Sequence, residues 1–131
     1  MKDGIAIGQK ATVTTTVTSE MFAQFEGNVV HPAYSTVSMV YHMEWASRKL
    51  ILPYLEEEEE GIGGGVEMKH LGPACEGQEI TITATITSLT SKSVISYVEV
   101  RRGLDIIGTG SVVQFILPKK AIEEKLANAK L

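Results

Sequence analysis

The feature that most constrains the fold is a helical segment whose apolar residues cover most of its circumference. The stretch STVSMVYHMEWASRKLIL, residues 35–52, repeats apolar residues at spacings of three and four, which predicts a helix. Pro53 is expected to bend or end this helix. Met39, Met43 and Leu50 widen the apolar surface beyond a single stripe, so the helix needs cover on several sides.

Strand patterns dominate the rest of the chain and supply that cover. Residues 10–19 are rich in threonine and valine, and four further strand-like stretches follow the glycine-rich GIGGG. In residues 79–89, EITITATITSL, the isoleucines and an alanine occupy every second position and share one face. One strand, a long helix and then four antiparallel strands predict an α+β hot-dog fold, in which a curved antiparallel sheet wraps a long central helix. Open sheet edges favour a homodimer, and they also permit a higher oligomer.

The remaining segments complete a single domain over residues 1–131. Residues 20–35 have mixed periodicity and predict a loop or a short helical piece, which is a candidate flap. The acidic run at residues 56–60 predicts a solvated turn, because carboxylates at a helix C-terminus oppose the helix dipole. A hairpin turn is expected at GLDIIG, and a short amphipathic helix is expected after Pro118.

Composition excludes several classes of function. The net charge of −4 argues against a nucleic-acid partner, and no apolar run approaches the length of a membrane span. The only cysteine, Cys75, has no partner for an internal disulfide, and no Cys/His cluster predicts a metal. We therefore expect a soluble, cytoplasmic domain that needs no cofactor.

Glu44 is the residue that the helix pattern explains least, because it interrupts the apolar segment directly before the only tryptophan, Trp45. A structural interpretation has Glu44 point outward, or pair with Arg48 at i+4 on the helix surface. A functional interpretation places the carboxylate in a partly apolar cleft, where desolvation makes it a stronger base. His70 shares a strand face with Val66 and favours the second interpretation, because that face is expected to meet the helix.

Thr36 is a third candidate, although a threonine near a helix start more commonly caps the helix. Eight residues separate it from Glu44, which corresponds to about 12 Å along a continuous helix. Side chains at that separation do not touch. Either Thr36 precedes the helix in a folded-back segment, or it serves the site of a partner chain.

These residues and their surroundings resemble the fluoroacetyl-CoA thioesterase family of hot-dog proteins. The resemblance rests on MEWA, PYLEEEEEGIGGG and VEMKHLGPACEGQEITITATI, and it runs from about residue 36 to residue 110 with some support from MKDGIAIGQKAT. In the family pattern, a threonine lies eight residues before the glutamate of MEWA, a glycine nineteen residues after it and a histidine twenty-six residues after it. Here those positions are Thr36, Gly63 and His70.

The resemblance implies hydrolysis of an acyl-CoA thioester by Thr36, Glu44 and His70. Glu44 would act as nucleophile or base, His70 would carry the proton, and Thr36 would position the carboxylate or the substrate. Gly63 and Gly64 would bind the substrate through a backbone that passes close to it; alternatively, the glycines form a flexible turn. The family's aromatic lid has no clear match in residues 20–35, so a general short-chain acyl group is expected rather than a fluorinated one.

Two other functions remain open at this point. One is a hot-dog hydratase or dehydratase, although its usual Asp/His motif is not found. The other is a non-catalytic module that binds acyl thioesters or other small ligands.

Overall fold

The computed structural model describes all 131 residues and consists of an antiparallel sheet packed around one long helix. The five-stranded sheet has the order β1-β5-β6-β7-β4, and β2 and β3 form a separate hairpin. The elements are β1 (Lys10–Thr16), β2 (Phe22–Phe25), β3 (Asn28–Tyr34), α1 (Thr36–Ile51), β4 (Glu59–His70), β5 (Glu79–Leu89), β6 (Ser93–Arg102), β7 (Asp105–Pro118) and α2 (Lys119–Ala129). This arrangement confirms the predicted α+β hot-dog fold.

The alternation in β5 produces the core face of the sheet. Its four predicted inward residues are essentially inaccessible to solvent: Ile80, Ile82, Ala84 and Ile86. The helix also packs against β7, where Gly110 faces Met43. A Cβ on Gly110 would lie 2.6 Å from the backbone oxygen of Glu67, so only glycine lets β7, β4 and the helix approach this closely.

The helix is covered on one side only. Met39, Met43 and Ala46 are fully buried against the sheet. On the opposite side Val37, Tyr41 and Trp45 are 72%, 65% and 42% exposed. The expectation that the helix is covered over most of its circumference is therefore wrong for the single chain. An apolar stripe at i, i+4 and i+8 is left without a partner.

Residues 20–35 differ from their prediction, because most of them form the β2–β3 hairpin. A short 3₁₀ turn, Ser19–Met21, precedes it, and the hairpin turn lies at Glu26 and Gly27 with φ values of 53° and 79°. Two consecutive residues with positive φ match the right-handed twist of a tight hairpin. The hairpin packs at the start of α1, where the backbone N–H of Ser35 donates to the carbonyl of Met21.

The acidic run meets its prediction only in part, and the glycines after it depart from theirs. Glu57 and Glu58 stand in an exposed turn, as expected, whereas Glu59 and Glu60 open β4 and Gly61 to Gly65 lie inside the same strand. The backbone N–H of Glu56 and the N-terminal amine, 3.0 Å away, both donate to the Glu59 carboxylate and lower its pKa. The flexible-turn interpretation of the glycines is wrong.

The C-terminal prediction is confirmed, since α2 follows Pro118 directly. No helix of the chain combines the length and the apolar character that a membrane crossing requires.

Candidate active site

Thr36 and His70 meet at the N-terminal end of α1. The Thr36 hydroxyl lies 2.9 Å from His70 Nδ1. Thr36 is free for this bond because Ser35 is the N-cap, and its hydroxyl accepts from the backbone N–H of Ser38 at 3.0 Å. The capping interpretation therefore applies to Ser35 and not to Thr36. The bond orients the imidazole and leaves Nε2 for other contacts.

A pocket of about 370 Å³ surrounds this pair and is called here the histidine pocket. The strands β3 and β4 and the start of α1 form its walls. His31 lies exposed on β3 and also lines this pocket. The pocket therefore carries two imidazoles.

A buried side-chain pair, Tyr34 and His42, adjoins the histidine pocket. The Tyr34 hydroxyl lies 2.6 Å from His42 Nδ1, and the edge of the Tyr34 ring packs against the His70 ring. Burial raises the pKa of the Tyr34 phenol and lowers the pKa of the His42 imidazole. Both groups are consequently neutral near pH 7. The sequence analysis does not single out this pair, because no local pattern links Tyr34 to His42.

Glu44 lies in a different pocket, called here the glutamate pocket, with a volume of about 240 Å³. It runs between the exposed side of α1 and β4, and its lining residues are Tyr41, Glu44, Trp45, Arg48, Gly61, Gly63, Val112 and Gln114. A Cβ on Gly63 would lie 3.8 Å from Glu44 Oε1, so the carboxylate stands directly over this glycine. Glu44 is exposed in the single chain, so the desolvation expected for it needs additional cover.

A β-bulge allows β4 to serve both pockets. The pairing with β7 shifts by one residue between Gly63 and Gly65, which leaves Gly64 as the extra residue. Residues 63 and 70 are an odd number of positions apart, and in a regular strand they would face opposite sides of the sheet. The bulge changes this parity, so that Gly63 and His70 both face the helix.

Gly64 itself does not line the glutamate pocket. A Cβ at this position would overlap the ring of Phe115, so the residue is a glycine because the aromatic ring lies against its backbone. The prediction that Gly63 and Gly64 act together in substrate binding therefore has a geometric basis only for Gly63, which stands beside Glu44.

Arg48 is not the partner of Glu44. Its guanidinium makes two bonds to the Glu60 carboxylate, at 3.0 and 3.2 Å, and this pairing together with the backbone N–H of Gly61 lowers the pKa of Glu60. The i+4 interpretation of Glu44 and Arg48 is wrong because the covering strand supplies a better carboxylate. The only sequence signal for this pair is the position of Glu60 at the end of the acidic run.

The predicted residues thus form two pairs and not one cluster. Thr36 and His70 lie at one end of α1, and Glu44 and Gly63 lie at its middle, in the other pocket. Thr36 is the first residue of an unbroken helix, so the alternative in which it belongs to a folded-back segment is wrong. The alternative that involves a partner chain remains.

Cys75, the only cysteine, is free and exposed. Arg101 and Arg102 form salt bridges with Glu99 and Asp105.

Comparisons with known proteins identify the family and the fold of this chain. Residues 17–120 match the family model described as fluoroacetyl-CoA-specific thioesterase. The fluoroacetyl-CoA thioesterase of Streptantibioticus cattleyicolor is 30% identical over 122 residues, which cover 85% of this chain and 84% of that protein.

Solved structures give the same result. A thioesterase superfamily member from Thermus thermophilus is 43% identical with a TM-score of 0.93, and the match covers 98% of this chain and 95% of that one. A phenylalanine-to-alanine variant of the fluoroacetyl-CoA-specific thioesterase is 25% identical with a TM-score of 0.88, over 98% and 99% of the two chains. A hot-dog-like protein from Thermanaerovibrio acidaminovorans, 16% identical with a TM-score of 0.86 over 94% and 91%, shares the fold.

Proposed function

This chain belongs to the family of fluoroacetyl-CoA-specific thioesterases, and we propose that it hydrolyses short-chain acyl-CoA thioesters to the free acid and CoA. Family membership establishes an acyl-CoA thioesterase. The length of the acyl group, the catalytic residues and the oligomeric state are our proposal.

One observation carries the proposal. Thr36 and His70 are joined by a hydrogen bond in the histidine pocket, while Glu44 stands over Gly63 in the glutamate pocket. Both pairs lie along β4, at the edge of the sheet. Each pocket holds half of the groups that the chemistry needs, and a second copy of the chain supplies the other half.

The symmetry of a dimer supports this arrangement. In a two-fold dimer, the contact of residue i with residue j is repeated as j with i. Val40 is the midpoint of residues 36 and 44 on the helix, and the midpoint of residues 63 and 70 on β4 falls between Val66 and Glu67. A two-fold axis beside these two midpoints brings each histidine pocket to the glutamate pocket of the partner chain. The exposed stripe on α1 and the open edge of β4 are the surfaces that such an axis covers.

The chemistry of the combined site is complete without a metal. The Glu44 carboxylate attacks the thioester carbon, or it removes a proton from a water that attacks. The electron pair moves to the carbonyl oxygen, where backbone N–H groups of the glycine strand or of the helix start stabilise it. Collapse expels the CoA thiolate, which takes a proton from His70. Where Glu44 itself attacked the thioester carbon, water then hydrolyses the acyl anhydride on Glu44 and releases the free acid. In both routes the proton that the water loses returns to His70.

The size of the glutamate pocket supports a short acyl group. Its volume is about 240 Å³, and Arg48 and Gln114 line it beyond Glu44. Lengthening an alkyl chain toward these polar groups gains less than burial in an apolar pocket does.

A panel of acyl-CoA esters from acetyl to octanoyl, with fluoroacetyl included, tests the activity through release of free thiol. We expect the highest kcat/KM among the shortest members. Protein that binds the esters and releases no thiol from any of them would establish the binding module instead, and a change in enoyl-CoA absorbance would establish a hydratase.

Mixing two inactive variants tests the shared site. Unfolding and refolding Glu44→Gln together with His70→Ala produces mixed dimers in which one of the two sites has both native residues. Statistical pairing then restores about a quarter of the wild-type activity. If each site lies within one chain, the mixture stays inactive, because every site lacks one of the two groups.

A further inference from the structure

The far end of the glutamate pocket carries polar groups that the hydrolysis does not use. Arg48 and Gln114 line the pocket beyond Glu44, while Glu60, which holds the guanidinium through two bonds, is not among the lining residues. A pocket for a plain alkyl chain is lined by apolar side chains, because polar groups lose their hydration when such a chain binds. The lining therefore indicates an acyl group with a polar atom of its own.

Gln114 presents an acceptor to this pocket. Its side chain is buried, and its Nε2 donates to the backbone carbonyl of Ser47 at 2.8 Å. Because that carbonyl only accepts, the amide nitrogen must face it and Oε1 must point elsewhere. Oε1 makes no hydrogen bond within the chain, yet no buried side-chain polar atom lacks a partner, so this oxygen is accessible from the pocket.

Arg48 presents a donor to the same place. A Cβ on Gly61 would lie 3.8 Å from Gln114 Oε1 and 3.9 Å from Arg48 Nη1. The Ile51 side chain occupies that Cβ position itself, so the acceptor and the donor face the part of the glutamate pocket beside Gly61. A hydroxyl group matches both, since it donates and accepts; a carbonyl oxygen matches only the donor, and a methyl group matches neither.

The position of this space agrees with a short acyl group. Glu44 and Arg48 are one helical turn apart, which is about 6 Å. Gly63 and Gly61, the glycines beside them, are two strand residues apart, which is about 6.6 Å. Both measures put the polar end a few bonds beyond the thioester carbon.

We propose that Gln114 and Arg48 form a subsite for a hydroxyl on the acyl group, so that the substrates are short hydroxyacyl-CoA thioesters. The inference rests on the proposed function and adds the class of substrate. A carboxylate in this position is disfavoured, because Glu44 and Glu60 already place two negative charges beside the single charge of Arg48.

The test compares acyl groups of the same shape. In 3-methylbutyryl-CoA, a methyl group replaces the hydroxyl of 3-hydroxybutyryl-CoA, and both enantiomers of the hydroxy ester are assayed. We expect kcat/KM for the preferred enantiomer to exceed that for the methyl compound by about tenfold or more. Acetoacetyl-CoA is expected to fall below the hydroxy ester, because it donates nothing to Gln114. A ratio near one, or a preference for succinyl-CoA, overturns the proposal.

Variants test which residues produce the preference for the hydroxy ester over the methyl compound. Gln114→Met and Arg48→Met are expected to bring the ratio toward one, and Arg48→Lys is expected to retain part of it because it keeps a donor. Arg101→Met is the matched control, since Arg101 is also half exposed and paired with a carboxylate, Glu99, but does not line this pocket. A ratio that survives both methionine variants overturns the proposal.

Binding measurements separate this inference from the proposed function. Calorimetry with non-hydrolysable CoA thioethers, in which a methylene group stands between sulfur and carbonyl, reports the preference for the hydroxyl without any turnover. Preference in binding with no hydrolysis of any ester would retain the subsite and reject the thioesterase activity. Hydrolysis of alkyl esters with no preference in either measurement would retain the activity and reject the subsite.

Discussion

The start and the middle of the same helix are organised in opposite ways. At its start, the chain orients His70 by itself, through the hydroxyl of Thr36 and the ring of Tyr34. At its middle, Glu44 has no hydrogen-bond partner within the chain and stands on an exposed apolar stripe, while the polar contacts nearby belong to Arg48 and Gln114. The difference teaches that one chain orients the His70 ring by itself but leaves the Glu44 carboxylate uncovered.

The largest effect is expected at the middle of the helix, where Glu44 is uncovered. Glu44→Gln keeps the size of the side chain and removes its basicity, so kcat should fall by about a thousandfold. The melting temperature should stay close to that of the wild type, because Glu44 is exposed and makes no hydrogen bond within the chain. Steady-state thiol release and thermal unfolding measure the two quantities. Activity near the wild-type level would remove Glu44 from the chemistry.

A smaller loss of activity is expected at the start of the helix, where Thr36 holds His70. Thr36→Val removes the hydroxyl that holds His70 and should lower kcat by about ten- to a hundredfold, whereas Thr36→Ser should keep most of the activity. Ser35→Ala provides the contrast, since it removes the helix cap and should cost about 1 kcal/mol of stability. A Thr36→Val variant that loses stability like the cap variant would assign Thr36 a structural role.

The bulge in β4 connects the strand residues that face these two regions of the helix. Gly64→Ala places a methyl group against the ring of Phe115 and should lower the free energy of unfolding by about 1–3 kcal/mol. Gly65→Ala is the matched control, because a Cβ there meets nothing within 4 Å. Adding Phe115→Leu should recover part of the lost stability. Equal unfolding midpoints for the two alanine variants in urea would contradict this account.

The smallest effect concerns the buried support of the histidine pocket. Because burial lowers the pKa of His42 below its ordinary value of 6.5, the unfolded chain binds a proton there before the folded chain does. The stability that neutral His42 contributes is complete above pH 6.5 and declines as the pH falls toward the lowered value.

Urea unfolding from about pH 7.5 down to about pH 5 measures this decline, in a range that stays above the pKa values of the carboxylates. His42→Phe should flatten the pH dependence of the free energy of unfolding. His31→Phe is the control, because His31 is exposed. An unchanged slope in the His42 variant would show that another group is responsible.

Local patterns predicted much of this protein. The alternation in β5, the helix through MEWA and the hairpin turn near Gly103 follow from side-chain periodicity and turn chemistry, which depend only on neighbouring residues. The offsets from Glu44 to Thr36, Gly63 and His70 come instead from the resemblance to the family pattern, which implied these candidates. The β2–β3 hairpin was missed because its strands are short and irregular in register.

By itself, the amino-acid sequence determined the central helix, most of the strands and the polar side chains that interrupt apolar faces, because those properties repeat over a few residues. Only the tertiary structure decided that the helix carries an uncovered stripe, that Arg48 pairs with Glu60, and that a bulge turns Gly63 and His70 to the same side. The physical reason is distance along the chain. These outcomes depend on how β4 docks against β7 and α1, and the energy of that docking is shared among residues that no local pattern connects.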